Sequence, residues 1–281
     1  MRILITGGSG RLGYWTVTEL ENDFDVAITD RHNRVIHGNA SLIQADLTDL
    51  GQVYSVMAGV DAVVHLAAIP SPIGVTPDVV FENNIMGTFN VTEAASNLGI
   101  KKLIYTSSCS AYGFAFRTTD MVPDYLPLDE EHPARPQDAY GLSKLFGEEM
   151  VAAASRRTEM MTVAMRIPTV LTPEQYAEEV PKILAGPGVP AIGAYVDARD
   201  VAQAIRLALE NDELTGYNCF CIAAEDSFSR QPLFESFPIS FPGSEQVAAG
   251  LTGIQSSVSI EKAKRVLGYQ PRYSWRSLVR R

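Results

Sequence analysis

Short apolar runs alternate with amphipathic segments through the first 170 residues. Runs of strand length stand at Arg2–Thr6, Asp25–Thr29, Ser41–Ala45, Asp61–Leu66, Lys102–Thr106 and Met161–Ile167. Between several of them, apolar positions recur with a helical period, most clearly at Arg11–Asn22, Thr76–Leu98 and Asp138–Ser155. This alternation predicts βαβ units feeding a parallel sheet. The runs VVHLA and KLIYT suit strands covered on both faces. From about Thr172 the rhythm loosens. A helical stretch over Pro173–Leu184 is followed by the turn-rich AGPGVPAIG, a helix at Ala198–Glu210 and a strand at Gly216–Ala223. Pro and Ser punctuate 227–243, and the helix-like SSVSIEKAKRVLG comes after them. Residues 1–170 are expected to form one sheet domain to which 190–223 return. Residues 171–189 and 224–281 are left for a small second lobe.

Composition narrows the class without naming an activity. Of 281 residues 46% are hydrophobic and 20% charged, enough apolar material for a sizeable core and too much for disorder. No apolar run approaches the ~18 residues of a membrane helix. MRILITGG reaches glycine after four apolar residues, so a secretory leader is not expected. A net charge of −10 disfavours nucleic acid or an anionic membrane as partner. Cys109, Cys219 and Cys221 cannot all pair and lack zinc-type spacing. The four histidines (His32, His37, His65 and His132) form no ligand spacing either, so no metal is expected. A cytoplasmic protein with reduced thiols is the expectation.

The first strand runs into Gly7-Gly8-Ser9-Gly10-Arg11-Leu12-Gly13 and then a helix. Glycines at 7, 10 and 13 permit a tight turn, backbone amides close to a phosphate, and a helix packed closely on the strand. The pyrophosphate of a dinucleotide then meets the positive end of that helix. Asp30 ends the second strand, seventeen residues beyond Gly13. A carboxylate there accepts from both ribose hydroxyls and repels a 2′-phosphate, which favours NAD over NADP. Arg11 and Arg31 keep NADP open, since either could neutralise that phosphate.

The G-x-x-G-x-x-G spacing resembles the short-chain dehydrogenase/reductase superfamily, whose partner motif is Tyr-x-x-x-Lys. Tyr140 and Lys144 supply it, four apart and so on one helical face. A free phenol has a pKa of about 10 and is a weak base at neutral pH. An adjacent ammonium favours the phenolate and is also able to hold a ribose. A third element, TSSCSAYG from Thr106 to Gly113, leaves the fifth strand with its hydroxyls at the carboxyl end, where doubly wound sheets bind ligands. Read without the motif, it is a serine-rich turn capping its own backbone.

Together these segments resemble the NAD-dependent epimerase/dehydratase family of extended short-chain dehydrogenases, from TGGSGRLG to KAKRVLGYQP. The resemblance implies a Rossmann α/β fold, a doubly wound parallel sheet with a small C-terminal substrate lobe. It matches TSSCSAYG to a T-S-S-x-x-x-Y-G segment, which gives Ser108 the catalytic hydroxyl, with Ser107 as the competing assignment. Tyr140, Lys144 and Ser108 become the catalytic set. Asp46 and Leu47 fall beside the adenine. In His65-Leu66-Ala67-Ala68, the last three lie against cofactor phosphates and ribose. Asn84 supports the active-site helix, and Ile167, within Arg166–Val170, lies near the nicotinamide. With Gly7, Gly10, Arg11, Leu12, Gly13, Asp30, Tyr140 and Lys144, these complete the implied cofactor set. Ser108, Ser110, Tyr140 and Thr169 form the substrate set. Tyr195–Ala202 resembles an F-x-H-V-x-D-V-A stretch, with Asp200 capping or pairing near a helix start.

Departures from the family bear on substrate. Nucleotide-sugar epimerases often carry asparagine where Thr169 stands and a phosphate-binding arginine where Gly193 stands. Only 24 residues separate Val170 from Tyr195, little chain for a nucleotide pocket. The loop from Ser108 to Tyr140 is long and is expected to cover the site. Within it Arg117 is either a ligand for a substrate anion or a solvated side chain, and Asp129-Glu130-Glu131 reads as a solvated face. The expectation is an NAD-dependent oxidoreductase acting by hydride transfer on a secondary hydroxyl of a sugar, sugar acid or related polyol. The alternative is a nucleotide-sugar epimerase with transient NAD reduction, and a remoter one is a non-catalytic NAD sensor. A dehydratase is disfavoured, because Ser108-Cys109-Ser110 lacks an acidic pair. In relatives, helices equivalent to Thr76–Leu98 and Asp138–Ser155 pair two subunits, so a homodimer is expected.

Overall fold

The computed structural model describes residues 1–32 and 40–279; His37 lies outside them. Side-chain alternation in the first strand already separates two cores. In β1 (Arg2–Thr6), Ile3 and Ile5 enter one buried cluster and Leu4 enters another, as the period of two dictates. The further strands are β2 (Asp25–Asp30), β3 (Ser41–Gln44), β4 (Ala62–His65), β5 (Lys102–Ser108), β6 (Met161–Ile167), β7 (Thr169–Leu171), β8 (Tyr195–Asp197) and β9 (Tyr217–Cys221). Seven of them form a wholly parallel sheet in the order β3-β2-β1-β4-β5-β6-β9. Strand order reverses direction between β1 and β4. Connections leaving those two ends diverge to opposite faces and open a crevice above their carboxyl ends.

Helices cover both faces. Those of the first half are α1 (Arg11–Leu20), α2 (Leu50–Met57), α3 (Pro77–Asn97) and α4 (Ala139–Arg157). Two single-turn pieces follow, α5 (Gln175–Glu178) and α6 (Val180–Ile183), and then α7 (Ala198–Glu210). Val17 and Leu20 of α1 and Ala204, Ile205 and Ala208 of α7 share the cluster under Ile3 and Ile5. Val53 and Val56 of α2, Val91 and Ala94 of α3, and Val151 and Ala154 of α4 fill the one under Leu4. The C-terminal helices are α8 (Leu233–Ser240), α9 (Glu245–Ala248), α10 (Glu261–Leu267) and α11 (Trp275–Leu278). A smaller cluster of Leu171, Tyr176, Val180, Leu184, Tyr195, Phe228 and Trp275 joins α5 and α6 to the C-terminal segment.

Several elements differ from the sequence expectation for identifiable reasons. The helix expected over Pro173–Leu184 is split into α5 and α6, because Pro181 has no N–H to continue the ladder. In the segment 256–268 only α10 is helical; Val258 instead pairs with Leu128 of the long loop. Strand β8 pairs with β7 in a separate two-stranded ladder, while β9 lies beside β6 in the main sheet. Helix α8, inside the Pro- and Ser-rich stretch, forms around buried Leu233 and Phe237 despite Pro238. Asp197 caps α7 by accepting from the Arg199 amide. Asp200 accepts the amides of Arg272 and Tyr273 at 2.9 and 3.1 Å and so anchors the C-terminal segment.

Candidate active site

At the end of β1 the chain turns through Gly7 with φ +69° and its N–H donates to the Thr29 carbonyl at 2.8 Å. A Cβ on Gly7 would stand 2.8 Å from the backbone of Ala67, in the loop after β4. A Cβ on Gly13 would collide with the carbonyl of Gly8. Only glycine allows these approaches. Gly10, which precedes α1, offers no side-chain cap. The first amides of α1 are therefore left to the crevice, an arrangement that accepts an anion.

Asp30 closes β2 at the rim of the same crevice and accepts the Ser9 hydroxyl at 2.5 Å. Arg31 donates to Asp46 at 3.0 Å and to Asn83 at 2.8 Å. Asp46 also accepts the amide and hydroxyl of Thr48, so its carboxylate holds Arg31 and its own turn. It does not line the crevice, whereas Leu47 does. His65 lies within the sheet between the hydroxyls of Thr6 and Thr88. Burial, aided by the Lys144 charge, pushes its pKa down to about 3, and the imidazole is neutral. Asn84 accepts the Ile69 amide at 2.8 Å and donates to the Ile69 carbonyl and the Ser143 hydroxyl, each at 3.1 Å. One amide side chain thus ties the loop after β4 to α4.

Helix α4 begins where Asp138 caps the amides of Tyr140 and Gly141 at 3.0 and 2.9 Å. This fixes the first turn and aims Tyr140 across the crevice at the end of β5. There the Ser108 hydroxyl accepts the Ser110 amide at 3.0 Å and donates to the Ser110 hydroxyl at 3.1 Å. Ser107 points the other way: its hydroxyl donates to buried Glu148 at 2.5 Å. Between the two serine assignments, Ser108 is the one whose hydroxyl acts on Tyr140, drawing the phenol pKa down. Burial still dominates and holds Tyr140 at about 12. Lys144 donates to the Thr106 carbonyl at 2.7 Å. Burial brings it down to about 7, against the opposing pull of Glu148. The motif leads one to expect that the ammonium favours the phenolate; in the site as it stands, burial of the phenol is the larger influence.

The crevice encloses about 850 Å³ and runs from Asp30 to Thr172. Apart from Asp46, the whole implied cofactor set lines it, as do Ser108, Ser110 and Thr169. The sequence reading missed Pro70, Ser71, Asn83, Thr172, Ala191 and Ile192 as wall residues. Ala191 sits at φ +49°, a left-handed conformation unusual for a residue with a side chain. Position 191 lay in the turn-rich patch already noted, but composition alone did not aim that patch at the site.

Two features of the long loop also differ from expectation. Arg117 does not line the crevice and is half-buried: it donates to the carbonyls of Phe114 and Ser240 and lies 4.2 Å over the Phe241 ring. The acidic run is only partly a solvated face. Glu130 accepts the Cys221 amide at 2.7 Å, and Asp129 accepts the Tyr125 hydroxyl. Phe116, from the same loop, meets Tyr140 edge to face at 6.1 Å between ring centroids.

A sequence profile for the NAD dependent epimerase/dehydratase family matches residues 3–220. The chain belongs to that family. It is an enzyme of the NAD(P)-dependent dehydrogenase and epimerase kind, and the glycine cradle and uncapped α1 fit the family's NAD. Among the family's curated members, the L-arabinose 1-dehydrogenase (NAD(P)(+)) of Haloferax volcanii is 35% identical over 64% of this chain and 71% of its own length. The UDP-glucose 4-epimerase of Corynebacterium glutamicum is 25% identical over 98% of this chain and 92% of its own. A solved short-chain dehydrogenase/reductase superfamily protein from Agrobacterium tumefaciens, with bound NAD, aligns with a TM-score of 0.78. It is 24% identical and covers 99% of this chain and 95% of its own, which supports the shared fold. No helix among the described residues is long and apolar enough to cross a membrane.

Proposed function

We propose that this protein is an NAD-dependent dehydrogenase that oxidises a secondary hydroxyl of a compact, sugar-like substrate. The observation that carries the reading is the convergence of Tyr140, Ser108 and Lys144 on the crevice that also takes in the uncapped start of α1. Bound NAD supplies the hydride acceptor. Tyr140 takes the proton of the substrate hydroxyl on its phenolate oxygen, and the Ser108 hydroxyl donates to the substrate oxygen. Lys144, fixed by the Thr106 carbonyl, stabilises the phenolate and holds the ribose side of the cofactor. Gly7, Gly10, Arg11, Leu12 and Gly13 receive the pyrophosphate, and Asp30 receives the adenosine ribose. The Asp30 carboxylate favours NAD over NADP. Leu66, Ala67, Ala68 and Ile167 form the remaining cofactor wall, and Ser110 and Thr169 contact substrate. Residues 171–189 and 224–281 act as the substrate-side lobe.

The full-length match to a UDP-glucose 4-epimerase supports a second reading, in which the hydride returns within one turnover. Gly193, and the short segment between β7 and β8, argue for the smaller substrate. Product analysis alongside NADH absorbance separates the two readings. NADH in proportion to product identifies a dehydrogenase; product without NADH identifies an epimerase. The exposed stripe of Val79, Met86 and Phe89 on α3, with Phe146 on α4, supports a homodimer through these helices. Light scattering of the purified protein tests that assignment.

A further inference from the structure

Charge is distributed unevenly along the crevice. Among the described wall residues, Arg11, Asp30 and Arg31 stand at the β1 and β2 end, and Lys144 lies against the Thr106 carbonyl beneath the site. Beyond Ser108 and Tyr140 the wall is built from the hydroxyls of Ser71, Ser110, Thr169 and Thr172 and the apolar side chains of Phe116 and Ile192. Among the described residues, four guanidinium groups that neighbour this end in the chain are committed elsewhere, Arg135 to Asp124 at 2.7 Å. Arg117 is held by two carbonyls and the Phe241 ring. Arg166 makes a buried pair with Glu148 at 2.8 Å, donates to the Glu130 carbonyl and lies 4.8 Å over Tyr112. Arg199 is paired with Asp197 at 2.8 Å and lies 3.4 Å from the Tyr273 ring centroid.

Such a wall treats neutral and anionic ligands differently. Each hydroxyl both donates and accepts, so it matches a ring of hydroxyls in either direction. Phe116 and Ile192 offer apolar surface to the C–H face of such a ring. A carboxylate or phosphate placed among these hydroxyls loses water and meets no guanidinium there, Lys144 being held by the Thr106 carbonyl, and an unpaired buried ion is costly. We propose that the substrate is an uncharged hydroxylated ring, a neutral sugar or cyclic polyol, and that sugar acids and sugar phosphates are rejected. This rests on the reading of the crevice as the site where a secondary hydroxyl is oxidised.

The test uses matched rings: glucose, glucuronate and glucose 6-phosphate, with galactose and galacturonate as a second pair and arabinose and xylose as smaller neutral rings. Binding to the NADH-loaded protein is measured by saturation-transfer NMR, and NADH release by absorbance with NAD. At least one neutral ring is expected to bind, and where a matched pair binds, the neutral member by roughly tenfold or more over its charged partner, about 1.4 kcal/mol. A charged ring that binds as well as its neutral partner overturns the proposal, and so does the failure of every neutral ring to bind. A neutral ring that binds without releasing NADH supports the proposal and counts against the dehydrogenase reading. A charged ring oxidised in preference does the reverse. In a Thr169→Arg variant that still binds NADH, the preference is expected to move at least tenfold toward the acid. An unchanged ratio there counts against this wall as the discriminating surface.

Discussion

Lys144 donates to the carbonyl oxygen of Thr106 at 2.7 Å and stands 5.8 Å from the ring of Tyr140. The hydrogen bond fixes the amine between the end of β5 and the first turns of α4, so the motif's spacing becomes a defined geometry. Burial sets the protonation of both partners. Tyr140 is held at about 12 and Lys144 at about 7.

Oxidation should therefore accelerate with rising pH. A general base works in its deprotonated form, and below a pKa of about 12 the phenolate fraction grows about tenfold per pH unit. Between pH 7 and 9, kcat/KM should rise with a slope below one, because Lys144, at about 7, gives up the charge that supports the phenolate over the same interval. Tyr140→Phe should lower kcat by roughly 10²–10⁴-fold, the usual contribution of a positioned acid or base, and flatten the profile. Full turnover by that variant would remove Tyr140 from the chemistry.

Lys144 should also leave a signature in stability. Unfolded, the residue keeps its proton to about 10.5; folded, burial brings it down to about 7. Between those values the unfolded chain binds the extra proton, so this residue's contribution makes stability rise with pH, and its penalty is complete below pH 7. Lys144→Met removes the penalty along with the Thr106 hydrogen bond. Relative to wild type, the variant should be at its best at pH 6. Its margin should shrink by at most about 1.4 kcal/mol per pH unit as pH climbs from 7 to 10. Urea titrations at fixed pH measure this. A margin that does not vary with pH would mean that Lys144 titrates normally.

The alternating pattern made most of the sheet legible because each buried strand is a short apolar run bounded by turn residues. The glycine turn and Tyr140-x-x-x-Lys144 were legible because their chemistry lies within a few consecutive positions. What stayed hidden depends on contacts between distant segments. Arg117 resembles any loop arginine until Ser240, far along the chain, is seen to receive it. Glu130 reads as a solvated acid until β9 presents the Cys221 amide. The break between α5 and α6 was readable from Pro181, but the surrounding helical periodicity outweighed it.

Glu148 should be costly to remove although it does not line the crevice. Both its oxygens accept from Arg166, at 2.8–3.3 Å, and one also accepts from Ser107, next to Ser108. Glu148→Ala strands a buried guanidinium, and a loss of about 3–5 kcal/mol is expected in urea unfolding. Replacing both partners, Glu148→Leu with Arg166→Met, should recover much of that loss, because apolar pairs often match a buried ion pair. A double variant as unstable as the single one would show that the pair does more than satisfy itself.

Cofactor choice should turn on Asp30 before either arginine. Its carboxylate stands at the rim with the Ser9 hydroxyl at 2.5 Å, whereas Arg31 is drawn aside by Asp46 and Asn83. A 2′-phosphate would meet the negative charge directly, while the Arg31 guanidinium is already paired. Asp30→Asn removes the repulsion and keeps an acceptor for Ser9. It should raise the ratio of kcat/KM for NADP over NAD by roughly tenfold, about 1.4 kcal/mol of discrimination. Asp46→Asn weakens the hold on Arg31 and should shift the same ratio upward by a smaller factor, since the freed guanidinium becomes available to a phosphate. If Asp46→Asn moved the ratio further than Asp30→Asn, release of Arg31, and not the charge of Asp30, would be the determinant of cofactor choice.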